Sequence, residues 1–277
     1  MVAVVAAQDV DPLRQFLDRH ARLFVLTGAG VSTDSGIPDY RDADGEWKRP
    51  SRPVQYRDYM ADAATRRRYW ARGLAGWQHL QRAAPNDAHR ALARLERAGR
   101  VELLVTQNVD RLHQAAGSEA VVDLHGRADV VRCMSCERRS SRADFQSELL
   151  DLNPAWAEIG ARAAPDGDAD LTAGDYDGFR VPDCAACGGT LKPDVVFFGE
   201  SVPKPRVERA LRALTDADAV LVIGSSLMVY SGYRFARAAA ELGKPIAAVN
   251  LGRTRADDVL TLKVAAPCAS ALAACVA

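Results

Sequence analysis

Apolar residues in this chain collect into short, nearly unbroken runs. LFVLT (23–27), VELLVT (101–106), AVLVIG (219–224) and IAAVN (246–250) carry almost no polar alternation. A strand with one wetted face alternates, whereas a strand covered on both faces does not. The runs therefore predict a parallel sheet buried between helical layers. Helical periodicity falls between them, at 11–20, 57–83, 86–99, 205–217 and 231–242. In PNDAHRALARLERAGR, Leu92 and Leu95 sit at helical spacing and Gly99 marks the stop. No internal repeat and no low-complexity tract interrupts the pattern.

Each run ends in small or polar residues: GAG, QNVD, GSS and NLG. Open parallel sheets bind ligands at the carboxyl ends of their strands, where backbone donors and helix N-termini converge. Four such loops on one edge predict one composite site. The first, GAGVSTDSGIPDYRD (28–42), begins as a dinucleotide-binding glycine loop. Thr33 then stands where that fingerprint has its third glycine, and a polar tail with Asp39, Tyr40 and Arg41 follows. A dehydrogenase would place a ribose-binding acid about 20 residues past the loop, on the next strand. Here the next run starts near residue 101, which argues against hydride transfer.

Two stretches break the strand–helix rhythm. Residues 43–85 are rich in arginine and aromatic residues and read as helical. Residues from about 125 to 195 hold the Gly/Asp-rich APDGDADLTAGDYDGF (164–179), read as a surface loop. The expected fold is α/β: a Rossmann-like parallel sheet in a large domain (1–42, 86–126 and 193–277). A smaller zinc-binding and helical domain is formed by insertions (43–85 and 127–192).

The zinc follows from cysteine spacing. Of six cysteines, Cys133/Cys136 and Cys184/Cys187 form two C-x-x-C pairs; Cys268 and Cys275 stand apart. Four thiolates fill a tetrahedral Zn²⁺ and leave no open position, so the ion is structural. The alternative is a set of buried free thiols. His125, in VDLHGRADVVRC, lies between the sheet edge and this module, and its ordinary pKa near 6.5 suits a general base. The other histidines read as hydrogen-bonded structural residues. VVFFGE (195–200) reads as an apolar strand ending in Gly199, able to take a peptide by β-augmentation.

Composition narrows the classes. The 277 residues suffice for a full α/β core, and Lys+Arg and Asp+Glu balance at 36 each. Neither nucleic acid nor membrane is expected as a partner. No apolar run approaches a spanning helix, and the N-terminus lacks a basic segment of the signal type. With reduced cysteines this reads as a cytoplasmic protein, and the Ala/Arg-heavy composition points to a bacterial source.

GAGVSTDSGIPDYR, TQNVD, LHG, the paired C-x-x-C, KPDVVFFGE, GSSL and the late VN occur together in the order seen in the sirtuins. From about residue 22 to its end, the chain resembles these NAD-dependent protein-lysine deacylases. RRRYWARGLAGW (66–77), LNPAW (152–156) and VYSGYRFA (229–236) look most like the class II branch. The resemblance implies that NAD is cleaved at its nicotinamide–ribose bond and the lysine acyl group passes to ADP-ribose. Gly28, Ala29 and Gly30 would approach the pyrophosphate. Asp39, Tyr40 and Arg41 would belong to a loop closing over the ribose, with Tyr40 where most sirtuins have Phe. Gln107, Asn108, Val109 and Asp110 would line the nicotinamide pocket, Asn108 and Asp110 holding the carboxamide.

His125 would be the general base on the ribose hydroxyls. Gly224, Ser225, Ser226, Asn250, Leu251, Gly252 and Cys268 would serve the adenosine half. Val196, Phe198 and Gly199 would line the acyl-lysine tunnel, with LMVY (227–230) pairing on the other side. Tyr69 and Arg72 resemble the Y-x-x-R pair that reads acidic acyl groups in the desuccinylase branch, although an arginine on a helix is more often solvated. A protein mono-ADP-ribosyltransferase is the nearest rival reading, and a non-catalytic NAD-sensing zinc protein the more distant one. Acylated-lysine proteins are the expected partners; the acyl group and the assembly state stay open.

Overall fold

The computed structural model describes residues 3–6, 10–48, 53–157, 161–171 and 176–276. The chain divides into two compact units: Met1–Pro50 with Ala84–Leu124 and Val202–Ala277, and Ser51–Ala83 with His125–Ser201.

The first unit is built on strands β1 (Ala3–Ala6), β2 (Leu23–Thr27), β3 (Val101–Thr106), β4 (Val121–Asp123), β10 (Ala219–Ile223), β11 (Ile246–Val249) and β12 (Leu262–Ala265). They form one sheet in the order β1-β12-β11-β10-β2-β3-β4, every pair parallel. Its helices are α1 (Asp11–Arg19), α4 (Asp87–Arg97), the single turn α5 (Leu112–Ala115), α7 (Lys204–Asp216), α8 (Tyr230–Glu241) and α9 (Cys268–Cys275). Side chains alternate across a strand. Leu23, Val25, Leu221, Ile223, Ala247 and Val249 enter one core, and Phe24, Leu26, Val220, Val222, Ile246 and Ala248 the other. Burial on both faces is why these strands read as continuous apolar runs. The chain builds β2-β3-β4 in one direction and resumes at β10 on the other side of β2. That reversal of strand order lies between β2 and β10, at the carboxyl edge of the sheet where ligands bind in open parallel sheets.

The second unit holds α2 (Tyr56–Ala61), α3 (Ala63–Arg82), β5 (Gly126–Cys133), β6 (Arg139–Ser141), α6 (Arg142–Leu152), β7 (Ala161–Ala163), β8 (Ala169–Leu171) and β9 (Leu191–Val195). Strands β6-β5-β9 form an antiparallel sheet, and β7-β8 a hairpin. Trp70, Ala71, Leu74, Val131, Phe145, Leu149 and Phe179 make its core. Gly126 opens β5 at φ +87°, and a Cβ there would lie 2.0 Å from the Asp194 carbonyl. Only glycine allows β5 and β9 so close.

Several expectations need correction. The helix foreseen over 57–83 breaks at Asp62, whose carboxylate accepts the Ala64 and Thr65 amides at 3.1 and 2.8 Å and so caps α3. Residues 43–48 are not helical: Arg41 bridges Trp47 across a turn closed by Gly45 at φ +84°. They belong with the first unit. VVFFGE is not a strand. The ladder is β9, ending at Val195, and because β9 pairs with β5, residues 193–201 go with the second unit. The stretch 164–179 is not simply a surface loop, since Ala164 and Ala169 are buried and its turn lies on α3. Gly76 permits this: a Cβ there would meet the Gly167 carbonyl at 2.3 Å. Residues 172–175 lie outside the described residues. Strands β1, β4 and β12 and helix α9 were not foreseen.

Candidate active site

In the first unit the loop after β2 turns through Ala29–Val31 directly onto the end of β10. Gly30 N–H donates to the Gly224 carbonyl at 2.8 Å, and a Cβ on Gly30 would meet that oxygen at 2.9 Å. A Cβ on Gly28 would strike Ser225 at 2.8 Å. The glycines are thus required by contact with the neighbouring loop. The amides of Ala29, Ser225 and Ser226 make no hydrogen bond among the described residues. A set of unpaired amides at strand ends is a donor set for anionic oxygen, which fits a dinucleotide diphosphate.

The loop after β3 is tied into the same edge. Gln107 Nε2 donates to Ser225 Oγ at 2.8 Å and to the Thr27 carbonyl at 3.2 Å. Gly232 makes room for it, since a Cβ there would sit 2.4 Å from Gln107 Oε1. Asn108 Nδ2 donates to the Gly28 carbonyl at 3.2 Å and to Ser32 Oγ at 3.0 Å. Ser32 donates in turn to Asp110 Oδ2 at 2.7 Å. Burial pushes the Asp110 carboxyl above the usual range, opposed by the Leu112 amide and then by Ser32 and Asn108. Val109 is buried beside them. Ser32, itself fully buried, was missed by sequence reasoning although it lies within the quoted glycine loop.

Behind this hub lies a polar core. His113 Nε2 meets Thr27 Oγ1 at 2.9 Å, Thr27 Oγ1 donates to Thr106 Oγ1 at 2.9 Å, and Thr106 Oγ1 accepts the Asn108 amide at 3.1 Å. The His89 ring lies tilted 4.7 Å from His113 and accepts the Asn86 amide, closing a capping box on α4. Burial pulls His89 down to about 4, helped by Arg90, and pulls His113 well below its ordinary value.

The tail of the glycine loop forms its own hairpin. Asp39 pairs with Lys48, Arg41 donates to the Gly45 carbonyl at 2.6 Å and lies 4.2 Å over Trp47, and Tyr40 meets the Trp47 edge at 5.9 Å. The loop after β11 reaches this hairpin through Gly252, where a Cβ would lie 2.5 Å from the Ala43 carbonyl. Asn250 Nδ2 donates to the Gly252 carbonyl at 2.9 Å, and Arg253 N–H to the Ala43 carbonyl at 2.7 Å. Leu251 is exposed. Cys268 is buried with Sγ 3.8 Å from the Val249 carbonyl, and burial, then Asp34, raises its thiol to about 12.

In the second unit His125 is half-buried in the turn before β5, and its carbonyl accepts the Val196 amide at 2.7 Å. Phe198 bridges Gln55, and Gly199 turns at φ +80°. An ion pair unnoticed in the sequence clamps this segment. Buried Lys192 reaches Glu200 at 3.1 Å and the Val195 carbonyl, with Nζ 4.5 Å from the Phe197 ring centroid. Glu200 also accepts the Phe197 amide at 2.9 Å. Tyr69 packs on Phe197 and Tyr59 at 5.1 and 5.4 Å. One turn along α3, Arg72 donates through Nε and Nη2 to both oxygens of Asp168, at 2.9 and 2.6 Å.

The thiols of Cys133, Cys136, Cys184 and Cys187 all lie within 4.8 Å of one another. A tetrahedron with Zn–S near 2.3 Å needs S···S edges of about 3.8 Å. Cys133–Cys187 and Cys136–Cys184 stand at 3.5 and 3.8 Å, so the four fit the ion. The Ser135 and Cys136 amides both donate to Cys133 Sγ, at 3.4 and 3.5 Å, bonds that favour a thiolate there.

Comparison with known proteins agrees with this geometry. The Sir2 family model matches residues 28–231. An NAD-dependent protein deacetylase of Xanthomonas campestris pv. campestris is 63% identical over 272 residues, 98% of this chain and 92% of the relative. The NAD-dependent protein deacylase Sirt4 of Drosophila melanogaster is 47% identical over 266 residues, covering 95% and 85%. A solved structure of Sir2 bound to acetylated peptide superposes with a TM-score of 0.76 at 29% identity, covering 95% of each chain. Among the described residues no helix is long and apolar enough to cross a membrane.

The purified protein is expected to carry one zinc per chain by elemental analysis. Chelation, or Cys184→Ser, should release it and lower the melting temperature; an unchanged melting temperature on metal loss would contradict a structural role. The buried histidine pair sets an acid limit. His89 is neutral when folded but protonates near 6.5 when unfolded, so its contribution is complete above pH 6.5 and is lost as pH falls towards about 4. That amounts to about 3 kcal/mol across the window. Urea unfolding at both ends should show His89→Gln losing less stability than the parent.

Proposed function

The chain belongs to the Sir2 family, and on that footing we propose how its own residues carry out NAD-dependent deacylation of protein lysines. It is a sirtuin-type enzyme that depends on NAD, with four cysteines positioned to bind one structural zinc. NAD, when bound, would supply a ribosyl carbon for the acyl oxygen as nicotinamide leaves, and one water would be consumed in freeing the lysine and leaving 2′-O-acyl-ADP-ribose. We take the first unit as the dinucleotide-binding body and the second as the metal-bearing one. The supporting observation is the donor set at the sheet's reversal: the amides of Ala29, Ser225 and Ser226 beside the Gly28–Ser32–Asn108–Asp110 hub.

In this reading Asn108 and Asp110 hold the nicotinamide carboxamide. Asp110 accepts from Ser32 and from the Leu112 amide, which fixes its carboxylate oxygens as acceptors for the carboxamide N–H groups. Gln107, fixed by Ser225 and Thr27, orients the same loop. Tyr40 and Arg41 shield the sugar from water, and Ser225, Ser226 and Asn250 serve the adenosine half. His125 removes a ribose hydroxyl proton as general base. Val196, Phe198 and Gly199 line the acyl-lysine, the Lys192–Glu200 clamp holding their turn. Free, reduced cysteines favour the cytoplasm as its compartment.

Arg72 bears on the acyl group. Its guanidinium is bound side-on by the Asp168 carboxylate, so an acidic acyl chain must displace an internal partner. Neutral acyl groups are therefore preferred.

With NAD and an acetyl-lysine peptide, the protein should release nicotinamide and free acyl-ADP-ribose, and His125→Ala should reduce turnover by about 10²- to 10⁴-fold. Label from NAD retained on protein would instead indicate ADP-ribosyl transfer. Asp168→Asn should raise the ratio of succinyl- to acetyl-lysine turnover about tenfold. An unchanged ratio would remove Arg72 from acyl selection.

A further inference from the structure

Helix α8 begins with an exposed aromatic residue under two cations. Tyr230 is 46% exposed, and its ring lies 6.5 Å from that of Tyr233. The Arg234 guanidinium lies 5.3 Å from the Tyr230 centroid, and that of Arg255 lies 5.9 Å from the same centroid and 4.4 Å over Tyr233. Arg255 is held there by backbone and side chain: its amide donates to the Ser226 carbonyl at 2.8 Å and its Nη1 to the Met228 carbonyl at 3.3 Å.

Neither guanidinium forms an ion pair among the described residues. Arg237, on the same helix, does so, with Glu241 at 3.0 Å. Asp257, two residues from Arg255, is taken by Lys263 and Thr254 at 2.7 and 2.6 Å. Arg234 Nε is buried with no hydrogen-bond partner. Two like charges on one ring, without a carboxylate to compensate them, make an electrostatically incomplete surface.

The segment that leads into this surface is also incomplete. Residues 225–228 join no sheet, and the amides of Met228 and Val229 donate to nothing among the described residues. Leu227 is held at φ +55°, a conformation unusual for a branched side chain. A strand laid along 227–229 would carry its side chains, at about 3.3 Å per residue, towards Tyr230 and the two arginines.

We infer that Arg234 and Arg255, displayed on Tyr230 and Tyr233, form a docking surface for acidic side chains flanking the acyl-lysine of the substrate protein. The inference rests on the reading of 227–230 as a peptide-facing segment of a deacylase. The rings hold the two guanidinium groups in place; Arg234 Nε is buried and Arg255 Nη1 is engaged, so their other N–H groups are the donors for carboxylates.

Acetyl-lysine peptides that differ only in flanking Glu or Gln residues test this. The parent enzyme should show a KM about fivefold lower for the Glu peptide with kcat unchanged, and the gap should close in about 0.5 M salt. Arg234→Gln with Arg255→Gln should bring the KM ratio near one, and Arg255→Glu should favour Lys-flanked peptides. Zinc content and melting temperature verify that the variants are folded. A KM ratio that is the same in parent and variants, or indifferent to salt, overturns the docking surface. Failure of the deacylase reading is distinct: no peptide of either kind would release nicotinamide.

Discussion

Everything at the candidate site depends on two backbones touching. The turn after β2 lies so close to the end of β10 that a Cβ on Gly224 would stand 2.2 Å from the Val31 amide nitrogen, and Gly224 itself takes φ +59°. A residue with a side chain at that position would force the loops apart and leave the Gly30–Gly224 hydrogen bond unmade. The contact turns the amides of Ala29, Ser225 and Ser226 away from internal partners. It also brings Gln107, from the next strand, within reach of Ser225. Fold and chemistry meet in this contact because strand order reverses there.

Both units contain partly buried ion pairs, Arg111–Asp123 and Lys263–Asp257 in the first among them. In the first, threonines, an asparagine and a serine link to one another around Asp110, while His89 Nε2 and His113 Nδ1 stay buried without a hydrogen-bond partner among the described residues. In the second, Lys192–Glu200 and Arg72–Asp168 hold segments in place by ionic pairing. Such pairs add little net stability once desolvation is counted, but they define which conformation a turn adopts. The thiolates extend the same logic: bonds from turn amides prepare Cys133 as a metal ligand.

Much of the fold could be read along the chain because it depends on local pattern. The four apolar runs became β2, β3, β10 and β11, and the strongest helical periods became α1, α4, α7 and α8. Strands β4 and β12 are short and only partly buried, so they lack the unbroken apolar run that marked β11. The hairpin of Asp39–Lys48 was signalled by the Asp-Gly turn at Asp44–Gly45, yet an arginine- and tryptophan-rich neighbourhood was read as helix. VVFFGE looked like a strand because it is apolar, but the ladder ends at Val195, where β5 ends its pairing.

By itself the sequence determined residue chemistry and spacing: two thiol pairs four residues wide, glycines at a strand end, and a histidine beside a glycine. These depend on few neighbours, so covalent order suffices. Tertiary structure decided which groups are already engaged. Nothing in the order of residues indicates that Arg72 meets Asp168, that Lys192 is buried against Glu200, or that Arg234 and Arg255 share a tyrosine. Those outcomes follow from distances between segments remote in sequence, and charge interactions depend on distance and burial rather than on position in the chain.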